Sequence, residues 1–377
     1  MRRAFGVVFD IDGVLLRGKE VIPGARAAVA SLRRAGVPVA VLTNGGGVLE
    51  RDKAAQLSEL LGAEIAPEEC MLSHSPLRGG QLERALRGPS AAGAAPGGKN
   101  SHGRKKKKKK KKKNMKNLLH HEARQTATVL ALGSLDYIQV AGDVLSDGVG
   151  IVTVADVMRE FPDIYPFAAA APESPVPAAR RGDPRGPFHA AVVFHDPVDW
   201  APDLQVLIDC LQLERGVGTL GDRSGAHKEL VPIEDRVKFF HTQDDFVYQG
   251  TYPFPRFAQG SFVECAKHLH QGLLGEELRV AGVYGKPEAS SYETAAKALQ
   301  KKSEAPLEHF YMVGDNPRSD IAGICRLQRD GKPWTSFLVR TGVFQSAADN
   351  DADDPASHVV PDVGAAITAI LKAEHVS

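Results

Sequence analysis

The chain has 377 residues, enough for two or three domains, and its 43% hydrophobic and 25% charged content is ordinary for a globular protein. The formal charge of +1 includes an unbroken run of nine lysines, Lys105–Lys113, without which 38 basic residues face 46 acidic ones. The remainder is therefore acidic, at −8, which argues against a general nucleic-acid surface.

Membrane-spanning and secreted classes are not favoured. No run of about 18 apolar residues occurs, so the sequence predicts no transmembrane helix. No secretory signal precedes the first predicted strand, and little room is left there for a transit peptide. The four cysteines form no CxxC pair, which indicates a reducing compartment and no zinc site; they are Cys70, Cys210, Cys265 and Cys325.

The first predicted element is an apolar strand over 7–9 that runs directly into Asp10-Ile11-Asp12-Gly13. A continuous apolar run is typical of a strand covered on both faces in a parallel sheet. Asp10 and Asp12 are two residues apart, so along an extended chain they point the same way. Because two carboxylates buried together need a cation, the pair predicts metal-assisted chemistry.

Short units of helix and strand follow. A helix is predicted over 25–35, a strand over 38–42 that ends at Thr43-Asn44-Gly45, and a helix over 52–61. This alternation predicts a right-handed parallel α/β sheet.

The middle of the chain reads as an insertion with its own strands. The stretch 88–116 is rich in Gly, Ala, Pro and Lys and cannot bury a core. Beyond it we predict strands over 137–140, 149–153, 190–194 and 237–240, a short helix from Ala155, an Ala/Pro-rich linker over 167–187, and a helix over 203–213.

The last third returns to the opening pattern, with a helix over 288–300, a strand over 310–313 that ends at Gly314-Asp315, a helix from Pro317, a strand over 335–339 and a helix over 363–372.

We therefore expect an α/β protein with a Rossmann-like parallel-sheet core and an inserted α/β cap domain. The expected organisation is a first core part over 1–76, a cap insertion over 77–250 with a low-complexity segment over 88–135, and a second core part over 251–377.

Four separated pieces of the chain carry candidate chemistry. They are Asp10-Ile-Asp12-Gly13, Thr43-Asn44-Gly45, Gly285-Lys286-Pro287 and Gly314-Asp315-Asn316-Pro317-Arg318-Ser319-Asp320. Because the carboxyl ends of parallel strands meet at one edge of a sheet, the strand-end pieces are expected to converge.

This set suits phosphoryl transfer. Asp10 is the expected nucleophile, forming an aspartyl-phosphate, and Asp12 the expected proton donor and acceptor. Mg²⁺ prefers hard oxygen ligands, which Asp10, Asp315 and the backbone carbonyl of Asp12 can supply. Thr43 and Lys286 are expected to bind the phosphoryl oxygens.

The remaining candidates have supporting roles. Asn44 is expected to be a secondary phosphate contact, Asp320 to hold Lys286 or a metal-bound water, and Asn316 to support them. Ordinary structural roles remain open: Lys286 as a solvated helix-start lysine and Thr43 as a turn cap. For Asp320 the structural alternative is an acid near a helix N-terminus, where the helix dipole favours it.

In this order and at these strand ends, the four pieces resemble the haloacid dehalogenase-like superfamily of phosphatases. The resemblance covers roughly residues 4 to 75 and 237 to 377. A cap inserted between Thr43 and Lys286 is the arrangement of class IIA members. Four longer stretches resemble the cat eye syndrome critical region protein 5 group: Phe9–Gly18, Ser73–Pro76, Pro255–Phe262 and Gly314–Asp320.

The resemblance implies a Mg²⁺-dependent phosphatase acting on a small phosphorylated substrate, with a phosphomutase as the nearest alternative. It also implies a mitochondrial location, although no transit peptide is visible; the alternative is cytoplasmic. A second functional hypothesis is a catalytically silent or regulatory protein that binds a phosphorylated ligand. Nucleic-acid binding through Lys105–Lys113 is not favoured, and a homodimer is left open.

Two departures from the family pattern bear on the cap. Class IIA caps tend to end in Thr/Ser-Asn-x-Asp, whereas this chain has His241-Thr-Gln-Asp-Asp245, with Gln243 in the asparagine position. Residues 88–135 are either an insertion or translated non-coding sequence, and in the second case part of the first strand and helix of the cap would be missing.

Overall fold

A computed structural model of the chain describes residues 3–79, 127–167, 172–222, 230–346 and 349–376, together with Leu82 and Leu86. The lysine run and the rest of 88–126 lie outside these residues, so the hypotheses about that stretch stay hypotheses. Within the described ranges, no helix combines the length and the apolar character needed to cross a bilayer.

The helices and strands fall into three groups along the chain. The first group contains β1 (Phe5–Phe9), β2 (Leu16–Arg17), β3 (Glu20–Val21), α1 (Ala25–Arg34), β4 (Val39–Leu42), α2 (Glu50–Leu61) and β5 (Cys70–Met71). The second contains β6 (Ala127–Leu132), α3 (Tyr137–Val144), β7 (Val149–Thr153), α4 (Val154–Glu160), β8 (Ala190–Val193), α5 (Trp200–Leu211), β9 (Lys238–His241), β10 (Val247–Tyr248), β11 (Arg256–Phe257), α6 (Gln259–Leu274) and β12 (Val280–Val283). The third contains α7 (Ala289–Lys301), β13 (His309–Gly314), α8 (Ala322–Arg329), β14 (Trp334–Val339), β15 (His358–Val360) and α9 (Val363–Ala373).

The core is a six-stranded parallel sheet in the order β15-β14-β13-β1-β4-β5. Strand β1 is central and fully buried, and Val8 pairs with Met312 on one side and Ala40 on the other. Its side chains alternate between the two faces: Val7 and Phe9 pack with α1, α2 and α9, and Val8 packs with α7 and α8. The predicted α/β fold, with helices on both faces of a parallel sheet, is confirmed.

The cap is a second parallel sheet of five strands in the order β12-β9-β8-β6-β7. Its central strands are buried on both faces, as expected for a covered parallel sheet. Helix α3 packs on one face, and α4, α5 and α6 pack on the other. The described part of the cap thus contains a layered core of its own.

Two expectations for the start of the cap are wrong. Residues 137–140 were predicted as a strand because Tyr, Ile and Val favour strands, but they begin α3. There Ile138, Ala141 and Val144 are buried at helical spacing, so packing on the sheet decides the conformation. The predicted low-complexity segment over 88–135 also extends too far, because residues 127–132 form the buried strand β6.

The end of the cap sheet also differs from the sequence expectation. Helix α6 was not predicted, and strand β12 pairs with β9 although it lies beyond residue 250, where the cap was expected to end. Apolar side chains explain both, since Phe262, Val263 and Ala266 of α6 are buried against the cap sheet. The second sheet therefore continues to Val283.

Candidate active site

The sequence candidates come together at the carboxyl edge of the core sheet. Asp10 follows β1, Thr43 follows β4, and Asp315 follows β13. Lys286 reaches the same place from the cap, because only Tyr284 and Gly285 separate it from the end of β12. The described cavity at this edge is lined by Asp10, Asp12, Thr43, Asn44, Asp315 and Asn316, among others.

Lys286 is a buried cation that pairs with two carboxylates of the site. Its Nζ atom donates to Asp10 Oδ1 at 2.7 Å and to Asp320 Oδ1 at 2.6 Å, and the side chain is 1% exposed. Burial disfavours the ammonium, but the carboxylates of Asp10 and Asp320 outweigh it and raise the pKa of Lys286 well above its ordinary value. A solvated helix-start lysine is therefore excluded; Lys286 is a buried, paired cation.

Asp320 orients both Lys286 and the strand-end loop. Its second oxygen, Oδ2, accepts the backbone N–H groups of Asp315 and Asn316, each at 3.0 Å. The side chain is fully buried, and a Cβ at Gly314 would overlap its carboxylate, so glycine is required there. These contacts account for Asp320 better than a favourable helix-dipole position does.

Asp10 and Asp315 crowd together beside this cation. Carboxylate oxygens of Asp10, Asp315 and Asp320 lie within 4.8 Å of one another. Burial is the main cause that raises the pKa of Asp10 to about 8, although Lys286 opposes it, and burial together with Asp10 and Asp320 raises the pKa of Asp315 well above its usual range. Such crowding is what a divalent cation relieves.

The donor set therefore fits Mg²⁺, which prefers carboxylate oxygens. Asp320 is already engaged by Lys286 and two backbone amides, so Asp10 and Asp315 have the carboxylates best placed for a metal. The side chain of Asp12 lies outside the acidic group, in keeping with the expectation that it contributes a backbone carbonyl. Burial raises the pKa of Asp12, although the charges of Lys53 and Lys286 oppose it.

Asn44 makes contacts that the sequence did not predict. Its Nδ2 donates to Lys286 O at 2.9 Å and to Asp245 Oδ2 at 3.0 Å, while its Oδ1 accepts the Lys286 N–H at 2.7 Å. Every polar atom of the amide is thus occupied within the protein. These contacts indicate that Asn44 positions Lys286. They do not favour the contact between Asn44 and phosphate that the sequence predicted.

Thr43 and Asn316 complete the predicted set. The Thr43 side chain is buried, and its Oγ1 accepts the Gly45 N–H at 3.0 Å, which leaves the hydroxyl proton available to the cavity. Asn316 caps the following helical turn by accepting the Arg318 N–H at 3.1 Å. The two alternatives considered for Thr43, turn cap and cavity donor, are therefore compatible.

Asp245 belongs to the site and was missed. It accepts from Asn44, and from Asn316 Nδ2 at 3.4 Å, and burial is the main cause that raises its pKa to about 6. Gln243 fixes this loop, since its Oε1 accepts the Asp245 N–H at 2.6 Å and its Nε2 donates to Asp196 at 3.2 Å. The aligned Thr-Gln-x-Asp stretch was the signal that could have identified Asp245.

The cap closes the cavity with residues that strand-end reasoning could not find. His195 lines it, and its Nδ1 lies 2.8 Å from Ser134 Oγ. Burial, then the charge of Lys53 and that of His74, lowers the pKa of His195 to about 4, so the ring is neutral at pH 7. His74 itself is fully buried, as a structural histidine should be.

Comparison with known proteins agrees with this geometry. Residues 7–84 match the haloacid dehalogenase-like hydrolase family, and residues 283–366 match a second family described as HAD-hydrolase-like. A mitochondrial hydrolase of Saccharomyces cerevisiae is 30% identical over 394 residues, which cover 97% of this chain and 94% of that protein.

Two solved structures share the fold. A hypothetical protein from Pyrococcus horikoshii OT3 has a TM-score of 0.56 and 19% identity, with 97% of this chain and 99% of the other covered. A glycerol phosphate phosphatase from Mycobacterium tuberculosis, solved with magnesium, has a TM-score of 0.53 and 18% identity, with 96% and 75% covered. Together with the relative from yeast, these findings show that the chain belongs to the haloacid dehalogenase-like hydrolases, with its cap inserted at the class IIA position.

Proposed function

We propose that the chain is a Mg²⁺-dependent phosphatase that hydrolyses a small phosphorylated metabolite through an aspartyl-phosphate on Asp10. The observation that carries the proposal is the buried Lys286 ammonium, held 2.7 Å from Asp10 and 2.6 Å from Asp320. Asp10 in turn lines the cavity together with Asp12 and Thr43. A cation fixed beside a strand-end carboxylate is suited to a phosphoryl group that the carboxylate attacks.

The residues divide the reaction into two steps. In the first, an Asp10 oxygen bonds to phosphorus, the ester bond to the leaving oxygen breaks, and Asp12 gives that oxygen a proton. In the second, Asp12 takes a proton from water, the water oxygen bonds to phosphorus, and the bond to Asp10 breaks to release phosphate. Lys286 and the Thr43 hydroxyl bind the phosphoryl oxygens throughout.

Asp10, Asp315 and the Asp12 carbonyl are the proposed Mg²⁺ ligands. When bound, the ion would neutralise charge on the phosphoryl group and on the crowded carboxylates. Asp320 and Asn44 keep Lys286 in place, and Asp320 also fixes the backbone of Asp315. These two side chains support the site without touching the phosphoryl group.

The cavity supports a small substrate. Its volume is about 210 Å³, below the roughly 300–1,000 Å³ typical of pockets for drug-sized ligands. The cap forms one wall through residues such as His195 and Tyr248, so cap residues contact whatever is attached to the phosphate. Size selection by the cap follows from this arrangement.

Hydrolysis of p-nitrophenyl phosphate with Mg²⁺ tests the proposal. We expect turnover by the native chain, none by Asp10→Asn, and native rates from the control Asp330→Asn, whose side chain is remote and exposed. Equal rates from the native chain and Asp10→Asn would refute the mechanism. Thermal stabilisation by phosphorylated ligands without any turnover would instead support the regulatory alternative.

We also propose a mitochondrial location. The support is the Saccharomyces cerevisiae relative, which is named a mitochondrial hydrolase. Subcellular fractionation of cells expressing the native sequence tests the proposal, since recovery solely in the cytosolic fraction would contradict it.

A further inference from the structure

One cation that lines the cavity has no role in the two steps above. Lys53, on α2, is half-buried and is the only lysine or arginine among the described residues that line the cavity. Within the described part of the chain its side-chain ammonium makes no hydrogen bond or salt bridge. Lys286, in contrast, is neutralised by Asp10 and Asp320.

Among the described residues no acid forms a salt bridge with Lys53, and the carboxyl of Asp12 is affected by its charge without pairing with it. Glu50, one helical turn earlier, is committed to Arg78 at 2.5 Å and to Ser75 at 2.6 Å. On the cap side, Asp196 accepts from Gln243 at 3.2 Å. The Lys53 ammonium is therefore available to a ligand.

The position of Lys53 relates it to the leaving group. Lys53 lies in the first turn of α2, and the loop that precedes α2 lies against the cap residue His195, since a Cβ at Gly47 would overlap its ring. Lys286, in contrast, pairs with Asp10. Asp12 is the proposed proton donor to the leaving oxygen, so the side of the cavity between Asp12 and His195 is where the leaving group lies. Lys286 thus lies at the phosphoryl end of a bound substrate, and Lys53 lies at its leaving-group end.

We propose that the substrate carries a second anionic group on its leaving-group portion, a carboxylate or a second phosphate, and that Lys53 binds it. This inference rests on the proposed phosphatase function and narrows its substrate class to phosphate esters of acidic molecules. His195, which is neutral at pH 7, lines the same cavity. A neutral imidazole beside a cation accepts anionic ligands without the cost of a second buried charge.

A competing role for Lys53 is to stabilise the ionised form of Asp12 from a distance. That role predicts an effect of Lys53 substitution on every substrate equally. Binding through a second anion predicts an effect confined to ligands that have one. The two roles are therefore separable by matched ligands.

Calorimetric titration in MgCl₂ tests the proposal in an Asp10→Asn background, which prevents turnover by the proposed mechanism. The probes share a three-carbon skeleton: glycerol 3-phosphate has no second anion, 3-phosphoglycerate has a carboxylate, and propane-1,3-diol bisphosphate has a second phosphate. Each is titrated into the background chain and into versions that also carry Lys53→Met, Lys53→Arg or the control Arg51→Met. Arg51 is on the same helix with its side chain 65% exposed.

We expect at least one of the two doubly anionic probes to bind roughly tenfold to a hundredfold more tightly than glycerol 3-phosphate, the gain typical of a hydrogen bond to a charged group. Lys53→Met should abolish this advantage, while Lys53→Arg and Arg51→Met should keep most of it. The probe that binds more tightly than glycerol 3-phosphate identifies the second anion as a carboxylate or a phosphate. Equal affinities for all three probes, no binding of either doubly anionic probe, or an advantage that survives Lys53→Met would each overturn the proposal. Binding is measured without turnover, so these outcomes are independent of the p-nitrophenyl phosphate assay.

Discussion

Asn44 and Lys286, which are 242 positions apart in the sequence, are joined by a reciprocal pair of hydrogen bonds. The Lys286 N–H donates to Asn44 Oδ1 at 2.7 Å, and Asn44 Nδ2 donates to Lys286 O at 2.9 Å. The whole cap lies between these two positions along the chain. The two hydrogen bonds therefore join the chain segments before and after the cap. They also fix the backbone from which the Lys286 side chain extends.

Asn44→Ala should reduce both stability and catalysis. It leaves the backbone groups of Lys286 unpaired in a buried site, which costs about 1–3 kcal/mol, and the resulting displacement of Lys286 should lower kcat roughly tenfold to a hundredfold. Urea denaturation and p-nitrophenyl phosphate kinetics measure the two effects. Asn350→Ala removes hydrogen bonds to a remote loop and should lower stability alone; an unchanged kcat in Asn44→Ala would contradict the positioning role.

Gly342→Ala should damage the acidic cluster. A Cβ at this position would overlap the carboxylate of Asp315, which also accepts the Val343 N–H at 2.6 Å. Relief of the overlap must displace the carboxylate or the loop, so we expect about 1–3 kcal/mol of destabilisation and weaker Mg²⁺ binding. Gly142→Ala is the matched control, because open space surrounds that helical glycine. The control should be neutral or stabilising by up to about 1 kcal/mol.

His195 should make the folded state sensitive to mild acid. Burial, Lys53 and His74 lower its pKa to about 4, whereas an unfolded histidine has a pKa near 6.5. Between these values the unfolded chain binds a proton that the folded chain does not, so stability decreases as the pH falls from about 6.5 to 4. The loss is at most about 3 kcal/mol.

Denaturation of the native chain and of His195→Gln across this pH range isolates the effect. The stability difference between the two should shrink as the pH falls, because the variant has no imidazole to protonate. His268→Gln, at an exposed position on α6, should follow the native chain at every pH. Parallel curves for the native chain and His195→Gln would show that His195 does not contribute.

Mg²⁺ should stabilise the native chain through Asp10 and Asp315. Binding to the folded state alone adds about 2.7 kcal/mol when the free ion is a hundredfold above its Kd, which appears as a rise in Tm. Asp315→Asn removes a carboxylate from the cluster and should abolish most of the rise. A full Mg²⁺ response in Asp315→Asn would place the ion elsewhere.

Asp10, Thr43 and Asp315 could be found from the sequence because each directly follows a buried strand of one parallel sheet. Their convergence needs only the alternation of strands and helices. Asp245, His195 and Lys53 could not be found in this way. Asp245 and His195 belong to the cap and meet the core residues only when the cap docks on the core, and local patterns carry no record of that docking. Lys53 lies on the core helix α2 and not at a strand end.

The errors in the secondary structure have two origins. Tyr137, Ile138 and Val140 favour strands by composition, but α3 forms because one of its faces is buried on the cap sheet. Strand β6 was missed because its apolar residues follow a long stretch of biased composition. In α3 tertiary packing outweighs the local preference, whereas in β6 the local preference agrees with the structure and was obscured by the preceding composition.

The short connection from β12 to Lys286 couples the position of the cap sheet to the position of the Lys286 side chain. Two residues, Tyr284 and Gly285, join the last strand of the cap sheet to the lysine that pairs with Asp10. A Cβ at Gly285 would overlap Asn44 and the backbone of Thr242, so the linker is closely packed at this residue. A rotation of the cap about this joint would therefore move the Lys286 ammonium that pairs with Asp10. Exchange of the cap for that of a relative must therefore preserve the joint as well as the pocket.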